Sequence, residues 1–446
     1  MTAPPAEDRA PTTATDPPWE RLHPLTPLLR GGRLVVLGLV VVGQQGLRDP
    51  SALGTPMLVL LALGVPLAAL VGYVSWRRMR YRVTATELQV ESGVLTRRSR
   101  RVPLARVQAV DVVRPFYARV LGAAELRLEV VGGGDAEAPL AFLGDDEALR
   151  LRTRLLDLSS GRVAGGEGEE GQALPAPEPE RVLVVVPTAP LVWSVLLGPP
   201  LVALAVTVAA TLVAALISVQ AVLPLLAGAL PILLGVASMA ARRLLSEYGF
   251  TVAESPDGLR LRHGLLDTRS QTIPAGRIQT VRVLEPLLWR RFGWVRVEVD
   301  VAGYGGGSQE QAATGALLPV APRALADQLV ARVLDGPLPT GRSAPPPRAR
   351  WRAPLTVRRL GVVLDDRHLV TTSGVLTTTT DVVPLSKVQS LRVTQGPWQR
   401  RWRLASLHAD TAGRRLVGGV AAHRDADDAA ALLAEVTRRA RAARRR

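Results

Sequence analysis

The sequence predicts an α+β fold: three copies of a small split-barrel domain, each closed by a C-terminal helix, carried on four transmembrane α-helices in two hairpins. Three observations support this. Charged side chains vanish from two long stretches, one long pattern recurs three times without gaps, and each recurrence ends in an amphipathic helix.

The 446 residues hold 55 basic and 39 acidic side chains, a formal charge of +16, with 47% apolar residues and no cysteine. Lack of cysteine removes disulfide scaffolds, thiolate metal sites, cysteine nucleophiles and iron–sulfur clusters. The apolar content removes wholesale disorder. So basic a chain reads in two ways, as a nucleic-acid binder or as a membrane protein that collects arginine on the cytoplasmic face of a bilayer. The positions of the charges separate the two.

Residues 1–27, rich in Pro, Thr and Asp, read as a disordered leader. Residues 28–76 read as the first hairpin, with no charge between Arg33 and Arg48 or between Asp49 and Arg77. Met57 to Trp76 supplies the ~20 apolar residues a span requires. The stretch from Leu28 to Leu47 is interrupted by Arg30, Arg33, Gln44 and Gln45. Residues 187–241 read as the second hairpin, because the chain carries no charge between Arg181 and Arg242. Its spans run from about Leu191 to Ile217 and from about Val222 to Ala241, with a turn at Ser218–Gln220. Arg21, Arg30, Arg33, Arg77, Arg78, Arg80, Arg82, Arg242 and Arg243 flank the spans, while the short loops carry almost no positive charge. By the positive-inside rule both termini and every large soluble segment lie in the cytoplasm.

The soluble segments are repeats. The sequence assigns residues 77–160, 242–336 and 353–441 to three domains, with linkers at 161–186 and 337–352 and a basic tail at 442–446. Gly93, Gly264 and Gly374 lead the copies, followed at equal offsets by Pro103, Pro274 and Pro384, then Arg106, Arg277 and Lys387, then Gln108, Gln279 and Gln389. Alternating or β-branched runs such as Leu126–Val131, Val295–Val301 and Val388–Val393 suit half-buried strands. The glycines sit where a hairpin turns, and the prolines suit a strand edge. Gly132–Gly134 and Gly303–Gly307 read as hairpin tips. Helix patterns close the copies at Asp145–Leu158, Pro322–Leu334 and Asp425–Ala440.

This signature, placed just after a transmembrane hairpin, resembles the bacterial pleckstrin-homology membrane proteins of the YdbS/YdbT type. Three such domains with two hairpins are most similar to the larger, YdbT-like members. The resemblance implies a pleckstrin-homology-like fold for each copy, no established catalytic activity, and for some members a link to envelope stress or to resistance against membrane-active peptides. The third copy departs from the pattern, because a Pro-rich linker precedes it in place of a hairpin.

Turn and strand requirements account for the shared Gly, Pro and Gln. Arg106, Arg277 and Lys387 keep a positive charge in a strand-entry loop, where it can meet an anionic head group or simply be solvated. A second set lies further on in each copy: Phe116, Tyr117 and Arg119; Trp289, Arg290, Arg291 and Trp294; Trp398, Arg400, Arg401 and Trp402. Interleaved rings and guanidiniums suit a membrane interface. The alternative is that the rings fill each domain's core while the arginines reach outward.

No catalytic, metal or cofactor site is predicted. None of the five histidines stands in a metal-ligand spacing. His423-Arg424-Asp425 spells the start of a kinase catalytic loop, but Ala430 occupies the place of the required Asn. No charged residue lies deep in a span, which disfavours a pump. The expected protein is therefore a non-enzymatic, multi-pass scaffold or oligomeric envelope-associated protein at the inner leaflet of the bacterial cell membrane. Its expected partners are membrane lipids with anionic head groups, further copies of itself or other membrane proteins. The alternatives are a basic nucleic-acid-binding membrane protein, for which only the tail and linker arginines speak, and an accessory subunit of a transporter.

Overall fold

The computed structural model describes residues 19–21, 73–92, 98–130, 138–159, 181–255, 258–302, 315–334, 336–339, 341–413 and 418–445, with single positions at 64, 66, 70 and 416. Most of the predicted first hairpin, Gly93 and the tips at Gly132–Gly134 and Gly303–Gly307 lie outside the described residues. The chain forms two compact units: Met1–Val107 with Tyr117–Leu126 and Pro139–Glu167, and Gln108–Phe116 with Arg127–Ala138 and Gly168–Arg446.

In the first unit β1 (Glu20–Arg21), β2 (Arg80–Val83), β3 (Glu87–Ser92) and β4 (Arg98–Pro103) form an antiparallel sheet in that order. Tyr81 on β2 is buried and donates its phenol to Glu147 at 2.8 Å. Burial, then Glu20 and Glu147, push that phenol above its ordinary range.

Copy 1 continues with β5 (Val107–Arg114), α1 (Phe116–Val120), β6 (Ala123–Val130), β7 (Ala138–Gly144) and α2 (Asp145–Ser159). The second unit then runs through β8 (Arg181–Val185), α3 (Thr188–Leu196), α4 (Pro199–Ile217) and α5 (Val222–Glu247). Pro199 and Pro200 open α4 and account for its separation from α3, since proline suits a first turn but breaks a helix interior. Thr188–Ile217 and Val222–Glu247 are the two stretches, among the described residues, apolar and long enough to cross a bilayer. A 3-10 turn at Val219–Ala221 joins them where the sequence placed the turn. None of α4's residues is buried against protein, the behaviour of a span whose solvent is lipid.

Copy 2 follows as β9 (Thr251–Ser255), β10 (Gly258–His263), β11 (Thr268–Ile273), β12 (Ile278–Pro286), β13 (Trp294–Val301), β14 (Ala316–Pro322) and α6 (Arg323–Val333). Copy 3 repeats the order as β15 (Gly361–Leu364), β16 (His368–Ser373), β17 (Thr377–Pro384), β18 (Val388–Thr394), α7 (Pro397–Arg401), β19 (Leu404–Thr411), β20 (Val420–Asp425) and α8 (Ala426–Ala443). Asp425 caps α8 by accepting from the Asp427 amide, the standard remedy for orphan N-terminal donors.

The expectation of self-contained split barrels needs correction. Among the described residues no barrel closes; each copy opens into two antiparallel meanders, and in copies 1 and 2 the first strand of the second meander pairs with the next copy. β5 of copy 1 pairs with β11 of copy 2, and β12 of copy 2 pairs with β17 of copy 3. Copies 2 and 3 consequently share a six-stranded sheet ordered β14-β13-β12-β17-β16-β15, and β18-β19-β20 forms a separate sheet. Their apolar interior is shared as well. Val281, Val283, Val295 and Val297 of copy 2 pack in one cluster with Val370 and Val382 of copy 3, joined by Leu191 of α3. Each such side chain contributes roughly 1.5–3 kcal/mol when fully buried. Arg282 and Asp381 add a two-pronged ion pair across the seam, at 2.5 and 3.1 Å.

Three boundaries also move. Arg181–Val185, expected in a linker, is β8 and pairs with β9. Glu20–Arg21, expected in the disordered leader, pairs with β2. The second span continues past Ala241 to Glu247, because Arg243 and Glu247 form an i,i+4 pair that keeps the helix going.

One position records a departure among the copies. Gly122 (φ 66°) and Gly293 (φ 65°) hold a left-handed turn that copy 3 builds with Arg403 (φ 49°). Arg403→Gly is expected to stabilise copy 3 by up to about 1 kcal/mol, the relieved strain exceeding the added chain entropy. An unchanged or lower melting temperature would refute this.

Candidate membrane interface

The last turn of α5 leaves backbone carbonyls without helical partners. Copy 2 supplies them. Leu265 N–H donates to the Leu245 carbonyl at 2.9 Å, and Gly264 N–H donates to that of Tyr248 at 2.8 Å. His263 Nδ1–H donates to the Ser246 carbonyl at 2.6 Å. The β10–β11 turn, which begins with the signature glycine, thus caps the membrane helix.

Beside this cap lies a buried ionic network. Glu247, 3% exposed, accepts from Arg243 Nε at 3.1 Å and from Arg296 Nη1 at 2.7 Å. Arg296 also donates to Glu298 at 2.9 Å. Burial lowers the Arg296 guanidinium, and Glu247 and Glu298 more than offset this, holding it above its ordinary value. The Arg243 guanidinium lies 5.8 Å from the centre of the Trp289 ring, within reach of a cation–π contact.

His263 is buried and stacks on Phe250 with ring centres 5.1 Å apart. Burial, then nearby Arg269, pushes its imidazole down, against the pull of the Ser246 bond and Glu247. A depressed imidazole is neutral in the folded protein. Stability is therefore present above the unfolded value of about 6.5 and is lost as pH falls below it. Hydrogen exchange at the Gly264 and Leu265 amides is expected to gain protection less well at pH 5.5 than at 7.5, after correction for intrinsic rates. His263→Phe, which keeps a stacked ring without a titrating group, is expected to flatten that difference.

Around the cap the protein exposes apolar side chains. Leu265 and Leu266 extend from the β10–β11 turn, and Leu287, Leu288 and Phe292 follow β12. Leu287 N–H donates to the Leu376 carbonyl at 2.7 Å, which brings exposed Leu376 of copy 3 alongside. Exposed Phe116 is held near the same turn, its amide donating to Asp267 Oδ1 at 3.3 Å. Clustered exposed apolar groups at a span end are the composition of an interface.

The aromatic–arginine tracts divide between roles. Trp289 is core, 2% exposed. Arg290 is committed to the seam, donating to the Val375 carbonyl at 2.9 Å and to Thr378 Oγ1 at 2.6 Å. Trp294 stacks on Phe292 with ring centres 4.8 Å apart, and Arg291 is exposed. In copy 3, Trp398 is 69% exposed, Arg400 and Arg401 are exposed, and Trp402 stacks on Trp351 at 6.2 Å. In copy 1, Arg119 is exposed and Tyr117 lies on α1.

The signature residues do mainly structural work. Gly264 (φ 108°) and Gly374 (φ 90°) form hairpin turns. Pro103 and Pro384 end β4 and β17, Pro274 follows β11, and a 3-10 turn comes next in every copy, containing Arg106, Arg277 or Lys387. Gln279 is buried and donates to the Arg277 carbonyl at 3.1 Å. Lys387 donates to the Gly276 carbonyl at 2.6 Å and so ties copy 3 to copy 2. Gln108 lies on β5, and Gln389 is exposed on β18. Sequence reasoning missed Glu247, Arg296 and His263. An acidic residue four places after an arginine at a span end was the available signal for the first.

Among the described residues no group of three His, Asp or Glu is placed to hold a metal. Three α+β repeats, linked edge to edge and joined to apolar membrane-length helices, define a membrane-associated repeat protein. Residues 34–159, 182–336 and 343–440 match the family model described as Bacterial PH domain, and the chain belongs to this family. The second match includes the apolar stretches Thr188–Ile217 and Val222–Glu247, and the third includes no such stretch among the described residues. A curated relative, the UPF0699 transmembrane protein YdbT of Bacillus subtilis (strain 168), is 24% identical over 283 residues, which is 58% of this chain. The match spans 57% of that relative's length. No solved structure matches the chain.

Proposed function

We propose that the protein is a non-enzymatic scaffold that holds its repeats against the inner leaflet of the bacterial cell membrane, crossing it several times with both termini in the cytoplasm. The observation that carries this reading is the capped end of α5: a buried ionic network fixes the helix to copy 2, and a rim of exposed Leu and Phe surrounds the joint. Arg242 and Arg243 at the same end favour the cytoplasmic side. Anionic lipids suit exposed Arg291 near this rim.

Because the chain has no cysteine, single introduced thiols report unambiguously. Bimane on Leu266→Cys or Phe292→Cys, in nanodiscs with brominated lipids, is expected to be quenched, though less than on Val206→Cys within α4. Quenching no greater than in unbrominated nanodiscs at both interface sites would remove the inner-leaflet reading.

A further inference from the structure

The two seams within the chain obey one register. Counted from the leading glycine of each copy, Arg114, Val113 and Val112 of copy 1 occupy the same repeat positions as Glu285, Leu284 and Val283 of copy 2. The first set pairs with Thr268, Arg269 and Ser270, and the second with Thr378, Thr379 and Thr380, again at equivalent positions. Each copy therefore lends the first strand of its second meander to the copy that follows. β18 is the third such strand, and among the described residues no receiving strand lies against it.

β18 retains the chemistry of a seam without the neighbour. Among the described residues it pairs only with β19. Val393 stands at the position of Val283 and is 41% exposed, whereas Val283 is 2% exposed. Arg392 stands at the position of Arg282, which in copy 2 grips Asp381 across the seam. Arg392 instead leans on Asp410 of its own sheet at 3.3 Å, with its side chain 59% exposed. Such an edge offers backbone donors and acceptors to an incoming strand.

The chain's own first copy is a poor occupant. Its remaining strand of the receiving type is β4, and the common register sets Arg100 opposite Arg392, Arg101 opposite Leu391 and Arg98 opposite Thr394. Like charges opposite one another destabilise a sheet, and charged edge strands block end-to-end polymerisation. We propose that β18 is the docking edge for an antiparallel strand of a separate polypeptide carrying a domain of this same type, with a carboxylate opposite Arg392 and small or apolar residues opposite Leu391 and Val393.

Two measurements on the full-length protein test this. A fluorescent peptide of residues 375–386, which contains the β17 sequence and Asp381, serves as the probe strand for the protein in nanodiscs. It is expected to bind saturably. An Asp381→Arg peptide should bind about tenfold more weakly or worse, the effect of exchanging an opposite-charge pair for a like-charge one, and Arg392→Asp in the protein should restore it. A peptide of residues 95–104 should not bind. Second, a photoreactive residue at Val393 in native membranes should crosslink to a segment of another polypeptide bearing Asp or Glu in register with Arg392, and Arg392→Glu should abolish that product. No peptide binding, no charge-swap rescue, or crosslinks only to lipid, to residues 98–103 of a second copy or to β18 of a second copy would each overturn the proposal.

Discussion

Glu247→Ala is expected to lower stability by about 3–5 kcal/mol, the cost of leaving a buried charge without its partner. The carboxylate sits between Arg243 and Arg296. Truncating it leaves two guanidiniums facing each other at the joint between α5 and copy 2. Thermal unfolding in nanodiscs should fall by on the order of 10 °C for a unit of this size, and amides of β13 should exchange faster. Replacing the group as a set tests the cause: Glu247→Leu with Arg296→Met is expected to recover most of the loss, because well-packed apolar residues substitute for buried ion pairs at little cost. A loss under about 1 kcal/mol for Glu247→Ala would show that water reaches the network and screens it.

Gly264→Ala is the second large effect. A Cβ built there would stand 2.0 Å from the Asp267 carbonyl oxygen, and the backbone holds φ at +108°. The carbonyl belongs to the turn itself and cannot swing aside. Strain alone accounts for roughly 1–3 kcal/mol, and displacing the turn also withdraws the donors that cap Leu245 and Tyr248. Gly374→Ala creates the same clash, 2.0 Å from the Thr377 carbonyl oxygen, but in a turn that supplies none of the amides capping Leu245 and Tyr248. Both variants should melt early, while only Gly264→Ala should release the end of α5, read as faster exchange at residues 244–248. Equal exchange there in the two variants would refute the capping role.

The parts of the fold that were legible in the sequence depend on local chemistry. The turn expected at Ser218–Gln220 announced itself by the break between apolar runs, and the closing helices by amphipathic spacing, with acidic starts in copies 1 and 3. The hairpin glycines and the proline before each 3-10 turn are required by single backbone conformations. What stayed hidden depends on distant partners. Nothing in Val281 or Val382 states that they will face each other across a seam, because a β edge carries no local mark of the strand it will meet. β8 was concealed because Arg181–Val185 merges into the apolar run that follows. In the candidate site, Trp289 and Arg290 have interface composition yet serve the core and the seam, since the same residue types suit both until burial and partners are known. Glu247 was passed over because it stands outside the uncharged run that drew attention to the span.

The pairing of β8 with β9 has a broader meaning. These two strands are hydrogen-bonded neighbours, and residues 186–250 between them form the loop of a β-hairpin that holds two helical stretches long and apolar enough to cross a bilayer. Copy 3 bridges Ser343 to Val362 in the corresponding place, and there residues 344–361 close the loop without a span. The membrane anchor is thus an insertion at a tolerant position of the domain. Anchoring can be gained or lost one repeat at a time while the strand order of the soluble fold is preserved.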